Sequence, residues 1–421
     1  MRRLKKVAIA AALALSTSMA TLPAFAETLT FVSWMKGEPG YGDWWNEVIQ
    51  KFESEHPDVK VEMTKVARSE YADTMFTMFA GGTPPDIVHL AAFEYQSFAN
   101  EGWLEDLGPY IKKSGMNLDG WAGQSTCEWK GTTNCIMLLY TAYILAYNEK
   151  LLKDAGIEAV PTDWNSLLAA AKAATRDTDG DGVTDVYGLG VDSSGGSNMM
   201  HDMLHFVLDA GGNWTENGKP AFNSPGVIEG LRRFKEIYTE GLTPKDAAAG
   251  DMRQLLVEGR IAMRLDGPWI WNVMKKADPA VRDNLKLAES PLNPPVGGTS
   301  NVIGMPSDIS DEKKALVWDF IQVATSKDMQ QRFATLGSSP APMPGLDYSA
   351  EIAASPYFEL FAKANDKASA AGIDRLPKGL ELEFNEVTKL VFREVQRMLI
   401  DNLSPEEAAA NIQTAVERIA G

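Results

Sequence analysis

Several stretches of this chain carry residue types at spacings that could do chemistry. "DTDGDGVTD" places Asp177, Asp179, Asp181 and Asp185 at relative positions one, three, five and nine, with Gly182 at six. That is the front half of an EF-hand-type loop, whose oxygens surround calcium. Position twelve is Gly188, so the bidentate glutamate is missing. The loop reads as a structural calcium seat or as an acidic turn ahead of the strand "VYGLGV". "HDMLH" puts His201 and His205 on one helix face. A zinc-protease helix needs Glu in second place, and the shorter Asp202 stands there with no third ligand nearby. These histidines read as packed or cleft-lining groups. "GGTSNVIG", Gly297 to Gly304, lacks the Gly-Lys-Ser/Thr of a P-loop and is no dinucleotide fingerprint. Its glycines let backbone N–H groups approach a ligand closely. No serine sits in a Gly-x-Ser-x-Gly elbow, which disfavours an α/β-hydrolase. The 57 acidic residues leave a glycosidase pair of carboxylates open.

Aromatic residues are the informative class. Of the 11 tryptophans, Trp34, Trp103, Trp129, Trp269 and Trp271 stand beside Gly or Pro loops. In "RIAMRLDGPWIWNVMKK", a strand-like run ends at Asp266-Gly267-Pro268, and Pro268 suits a helix start. Trp269 and Trp271 would then be about 200° apart on that helix, so one ring must leave the core. Strand-to-helix junctions are where open α/β sheets bind ligands. Flat rings beside carboxylates and amides make a sugar site.

The elements that must position these residues alternate. "TLTFVSW", "VKVEMT" and "TPPDIVHLA" read as strands. "DWWNEVIQKFESEHP", "SEYADTMFTMFAGG" (capped by Ser69) and "FEYQSFANEGW" read as helices between and after them. The order restarts with the strand "LLYTAYILAYN" and the helix "TDWNSLLAAAKAAT", capped at Thr162 or Asp163. Helices are expected at 198–211, 224–241 and 250–259. "NLKLAESPLNPPVGGTSNVIGMP" returns to strands, and a helix follows in "DEKKALVWDFIQVAT". Two helices close the chain, with Ser404 capping the second. The pattern predicts an α/β fold whose mostly parallel sheets are flanked by helices.

At 421 residues, two domains are the better expectation. "MRRLKK", the apolar run after it and "AFA" at 24–26 read as a cleaved secretory signal over 1–26, which places the product in the periplasm. The net charge is −17, and about −21 without the signal's four basic residues. So acidic a chain repels nucleic acid and anionic membranes. In an oxidising compartment Cys127 and Cys135 are expected to form a disulfide pinning a surface hairpin. Its short loop is worth roughly 2–3 kcal/mol.

The chain resembles the ABC-transporter extracellular solute-binding proteins of family 1, the sugar-binding relatives of maltose-binding protein. The resemblance runs through "LTFVSW", "FESEHPDVKVE", "MFAGGTPPDIVHL", "EGWLEDLGPYI", "YILAYNEKLLKDAGI", "DTDGDGVTDVYGL", "EGRIAMRLDGPWIW", "PVGGTSNVIGMP" and "SPEEAAANIQTAVERI", in the family's order. It implies a two-lobed periplasmic binding protein fold of type II with a three-crossing hinge. The lobes would comprise 27–139 with 288–338, and 142–286 with 342–421. It also implies a monomeric, non-enzymatic receptor that holds a sugar in the cleft and passes it to a membrane permease, with no required cofactor. By this resemblance Trp269 stacks on the sugar while Trp271 packs inward. Trp34, Glu38 and Asp86 line the first lobe's side, and Gly298, Ser300 and Asn301 add contacts. Tyr140 lies near the first hinge, and Asp192 and Ser197 stand at the cleft edge. The family's "Lys-Gly-Lys-x-Tyr-Gly-x-Pro" approach to the hinge is replaced by "WKGTTNCIMLLYT". Two rivals stay open: an extracytoplasmic glycoside hydrolase, and the same fold holding a cationic or phosphorylated solute. A phosphate would draw on Arg68, Arg332 or Arg375.

Overall fold

The structure, a computed structural model, describes residues 27–420 apart from 356, 373 and 374. The expected signal over 1–26 lies outside the described residues. The strands that build the two main sheets are β1 (Glu27–Val32), β2 (Val59–Thr64), β3 (Val88–Ala91), β4 (Ile136–Thr141), β5 (Ile144–Asn148), β6 (Tyr187–Gly190), β7 (Ile261–Asp266), β8 (Leu285–Ala288) and β9 (Thr299–Gly304). The helices that matter for the site are α1 (Tyr41–Glu55), α2 (Arg68–Ala80), α3 (Trp164–Ala174), α4 (Gly196–Asp209), α5 (Ala249–Val257), α6 (Trp269–Met274), α7 (Asp311–Ala324), α8 (Lys327–Gly337), α9 (Phe358–Ala370), α10 (Phe384–Ile400) and α11 (Pro405–Ala420).

One sheet runs β2-β1-β3-β9-β4, with β1 joined to β3 by a parallel bridge between Phe31 and Ile87. The other runs β8-β5-β7-β6. The pairing is mixed where mostly parallel sheets were expected. β1–β2 and β7–β6 are parallel, whereas β9 is antiparallel to both its neighbours and β5 to both of its own. The reason is connectivity. β5 and β9 each enter a lobe from the hinge, so they run against strands that end at the hinge. The run "LLYTAYILAYN" is therefore two strands, β4 and β5, interrupted at the first crossing. The second crossing joins β8 to β9, and the third follows α8.

Local chemistry explains the element ends. Asp163 caps α3 with Ser166 completing a capping box, and Ser404 with Glu407 does the same for α11. Ser69 caps nothing: α2 starts one residue earlier, at Arg68, with Ala67 in the cap position. In α1, Trp44, Trp45, Val48 and Phe52 are fully buried, and the Trp44 indole donates to Met329 O at 2.7 Å, locking α1 to α8. β7 is buried along its whole length, since it is a central strand with both faces covered. Cys127 and Cys135, both buried, form a disulfide across the hairpin of 128–133.

Candidate functional site

With this connectivity β1, β3, β6 and β7 all end towards the gap between the sheets, where an open α/β sheet offers its ligand site. Trp34 and Glu38 follow β1, Phe93 follows β3, and Trp269 follows β7. Tyr143 sits in the break between β4 and β5. Together with side chains of α2, α4 and α5 they enclose a cavity of about 270 Å³. Asn272 donates to Leu336 O at 2.7 Å, and Phe93 packs against Phe384 with centroids 5.7 Å apart. The lobes thus touch on either side of the cavity. Trp34, Tyr143, Asn301 and Arg375 are each buried.

The wall at Trp269 is held by charge. Asp266 Oδ1 accepts from the Trp269 indole N–H at 2.7 Å, from Gly267 N at 2.9 Å and from Arg253 Nη2 at 3.0 Å. Its Oδ2 accepts from Arg253 Nε at 2.8 Å and Arg264 Nε at 2.9 Å. Burial works against this charge, but the Arg253 and Arg264 guanidiniums override it and hold the carboxyl well below the aspartate range. The Arg253 guanidinium carbon lies 5.3 Å from the Trp269 ring centroid, and Tyr143 meets that ring edge-on at 5.6 Å. Opposite, Trp34 is stacked on His89 at 4.2 Å with Arg68 5.0 Å from its ring, so it contributes what these leave uncovered. Glu38 is pushed above the usual carboxylate range by burial, against the opposing pull of Arg253 and Arg68. Burial also pushes His89, His201 and His205 below the ordinary imidazole range. His201 packs on Tyr143, with Nε2 3.2 Å from Thr299 Oγ1, and neither it nor His205 belongs to a metal-sized cluster among the described residues.

Of the ligand residues expected from sequence, Trp34, Glu38, Trp269 and Asn301 line this cavity. Trp269 is more enclosed than a loop-entrance ring would be, at 9% exposure. Trp271 is half-buried, packed against the core cluster of Ile270, Met274 and Leu285 and edge-on to Tyr357. Asp86 is elsewhere. It precedes β3 and so sits at the far end of the strand, accepting from Thr30 N and Oγ1 at 2.8 Å and from Lys313 Nζ at 2.9 Å. The Tyr140 ring lies over Gly123, and its carbonyl accepts from Asn365, which also holds Ala142 N at 2.7 Å. It belongs to the hinge, not the cavity. Asp192 stands behind the wall, its Oδ2 taking Ala249 N at 2.9 Å at the start of α5. Ser197 contributes its carbonyl to Arg375 at 2.8 Å. Ser300 turns its hydroxyl back to Gly298 O at 3.0 Å. Arg332 is outside the cavity, paired with Glu47.

Sequence reasoning did not pick out Phe93, Tyr143, Asn198, Arg253 or Thr299, which also line the cavity. The usable signal was position, since Phe93 and Tyr143 fall just beyond strand ends. Away from the cleft, Asp177, Asp179 and Asp185 bring carboxylate oxygens within 4.8 Å of one another. Asp181 instead caps Val183 N at 2.7 Å, and Gly188 is committed to β6.

Comparison with known proteins bears on this geometry. The family model for the bacterial extracellular solute-binding protein matches residues 36–331. A Brucella abortus protein described as a binding protein is 23% identical over 308 residues, covering 69% of this chain and 71% of its own. Among solved structures, a Thermotoga lettingae ABC-transporter solute-binding protein bound with α-D-tagatose superposes with a TM-score of 0.80 at 23% identity. It covers 94% of this chain and 100% of its own. The GacH receptor of Streptomyces glaucescens, solved unliganded and with acarbose, superposes at 0.78 with 21% identity, over 94% of this chain and 98% of its own.

Proposed function

Because this chain belongs to the bacterial extracellular solute-binding protein family, we propose that it captures a sugar between its lobes and hands it to a membrane permease. The coarser role is established by the family: it is the extracytoplasmic solute-binding component of an ABC transporter, and it is not an enzyme. Chemistry agrees. Hydrolysis of a glycoside needs two carboxylates across the bond. Among the described residues lining the cavity, Glu38 is the lone carboxylate. A cationic solute would meet Arg68, Arg253 and Arg375 there.

The observation that carries the sugar reading is the indole of Trp269, fixed by Asp266 at a cavity that also presents Glu38, Asn198, Thr299 and Asn301. An apolar sugar face lies on the ring while hydroxyls bond the polar groups, strongest to a charged acceptor. The bound solute contacts both lobes, so it binds the closed form more tightly and shifts the population towards it. That two structural neighbours hold tagatose and acarbose supports the sugar class for a fold of this kind. The protein works as a monomer in the periplasm, with a permease as its partner. The loop of Asp177, Asp179 and Asp185 serves as a weak calcium seat, remote from the sugar.

A thermal-shift screen of the mature chain against a carbohydrate panel tests this. A sugar bound at 100 times its Kd stabilises by about 2.7 kcal/mol, so at least one should raise the melting temperature. Silence across the panel would contradict the reading.

A further inference from the structure

One of the three cations at the cavity has no ion-pair partner among the described residues. Arg68 is matched, its Nη2 2.6 Å from Glu94 Oε1. Arg253 is matched by the two oxygens of Asp266. Arg375 is different. It is only 5% exposed, yet no carboxylate pairs with it among the described residues. Its Nη2 donates to Ser197 O at 2.8 Å and to Asn198 Oδ1 at 3.1 Å, while its Nε has no hydrogen-bond partner. The guanidinium carbon lies over Phe93, 4.1 Å from the ring centroid, at the cavity wall. Burial without a counter-ion pushes it down to about 10. A buried charge is normally paired, because desolvation is otherwise uncompensated.

We infer that the solute itself brings the missing counter-ion: it is an acidic sugar whose carboxylate binds Arg375. This deepens the sugar reading above and rests on it. The rest of the wall fits such a molecule. Glu38 interacts with Arg253 and Arg68, and is the carboxylate on this wall available to accept hydroxyls. One unmatched cation calls for one negative charge, which favours a carboxylate over a phosphate dianion. A cavity of about 270 Å³ sits at the small end of ligand pockets and suits one sugar ring better than a chain.

Titration calorimetry of the mature, disulfide-intact chain tests this with glucuronate and galacturonate against glucose and galactose, and with glucose 6-phosphate. A uronate should bind about 10- to 100-fold more tightly than its neutral counterpart, the worth of one hydrogen-bonded charge. Arg375→Gln should bring the two within about threefold while neutral binding persists, the scale of a lost charge-assisted contact. Should that variant not fold, the comparison on the unaltered chain still decides. Neutral sugars binding as tightly as uronates, a preference for the phosphate, or a preference surviving Arg375→Gln would each overturn the inference and leave the sugar reading standing. No binding of any sugar would remove both.

Discussion

The indole N–H of Trp269 donates to Asp266 Oδ1 at 2.7 Å, three residues back across the Gly267–Pro268 turn. The turn makes this contact possible because Gly267 has no side chain. A Cβ there would stand 2.4 Å from Trp269 Cη2. Strand end, glycine and carboxylate together fix the angle at which the ring meets the cavity.

Gly267→Ala should therefore displace the indole and weaken sugar binding by roughly an order of magnitude, the scale of one good aromatic contact. Trp269→Ala should abolish detectable binding. It should lower the melting temperature less than Trp45→Ala, whose ring is fully buried. Calorimetry beside thermal melts of all three variants checks this, and binding retained by Trp269→Ala would refute it.

Asp266 sets an acid limit on stability. Its folded carboxyl is depressed below the ordinary 3.8, so its contribution is present in full above that value. As pH falls below 3.8 towards the depressed folded value, that stability is progressively lost. Asp266→Asn should cost about 3 kcal/mol at neutral pH, because it removes the shared counter-charge of buried Arg264, which keeps only Asp202 at 3.5 Å, and of half-buried Arg253. Denaturant unfolding of both proteins across pH 3 to 7 measures it.

Glu38 has the opposite sign. Burial raises its carboxyl, so the unliganded protein gains stability from this group as pH falls from the raised value towards the ordinary 4.5, and loses it again as pH rises. A sugar hydroxyl bonded to the carboxylate favours the charged form. Affinity should therefore fall with acidification at a higher pH than an ordinary glutamate's 4.5 would give. Glu38→Gln should weaken binding about tenfold and flatten that dependence.

The acidic loop offers a separate check. Calcium added to chelator-treated protein should raise the melting temperature modestly, and Asp177→Asn should remove the rise without changing sugar affinity. Asp177 now accepts from the backbone N–H groups of Gly180 and Gly182, each at 2.7 Å. A calcium response untouched by Asp177→Asn would place the ion elsewhere.

Much of this was legible in the chain because it is local. The 3.6-residue stripe of α1, the Asp163 and Ser404 caps and the strand of 59–64 depend on near neighbours in sequence. So did the Gly-Pro turn before Trp269. What local pattern does not carry is the partner of a polar group. Asp86 and Glu38 look alike as acids after Pro or Gly, yet Asp86 is consumed by Thr30 and Lys313 from distant segments. Arg253 and Arg375 come from helix and loop segments far apart in sequence, and only folding brings them to one wall. The sense of β5 and β9 was hidden for a similar reason, since strand direction follows from which lobe the chain has just left.

The central claim is best tested by a crystal structure of the mature protein with the sugar that a binding screen selects. One sugar ring is expected against the face of Trp269, with polar contacts from Glu38 or Asn301 on one lobe and from the α4–α5 side on the other. A sugar seated away from Trp269, or held by one lobe alone, would contradict it.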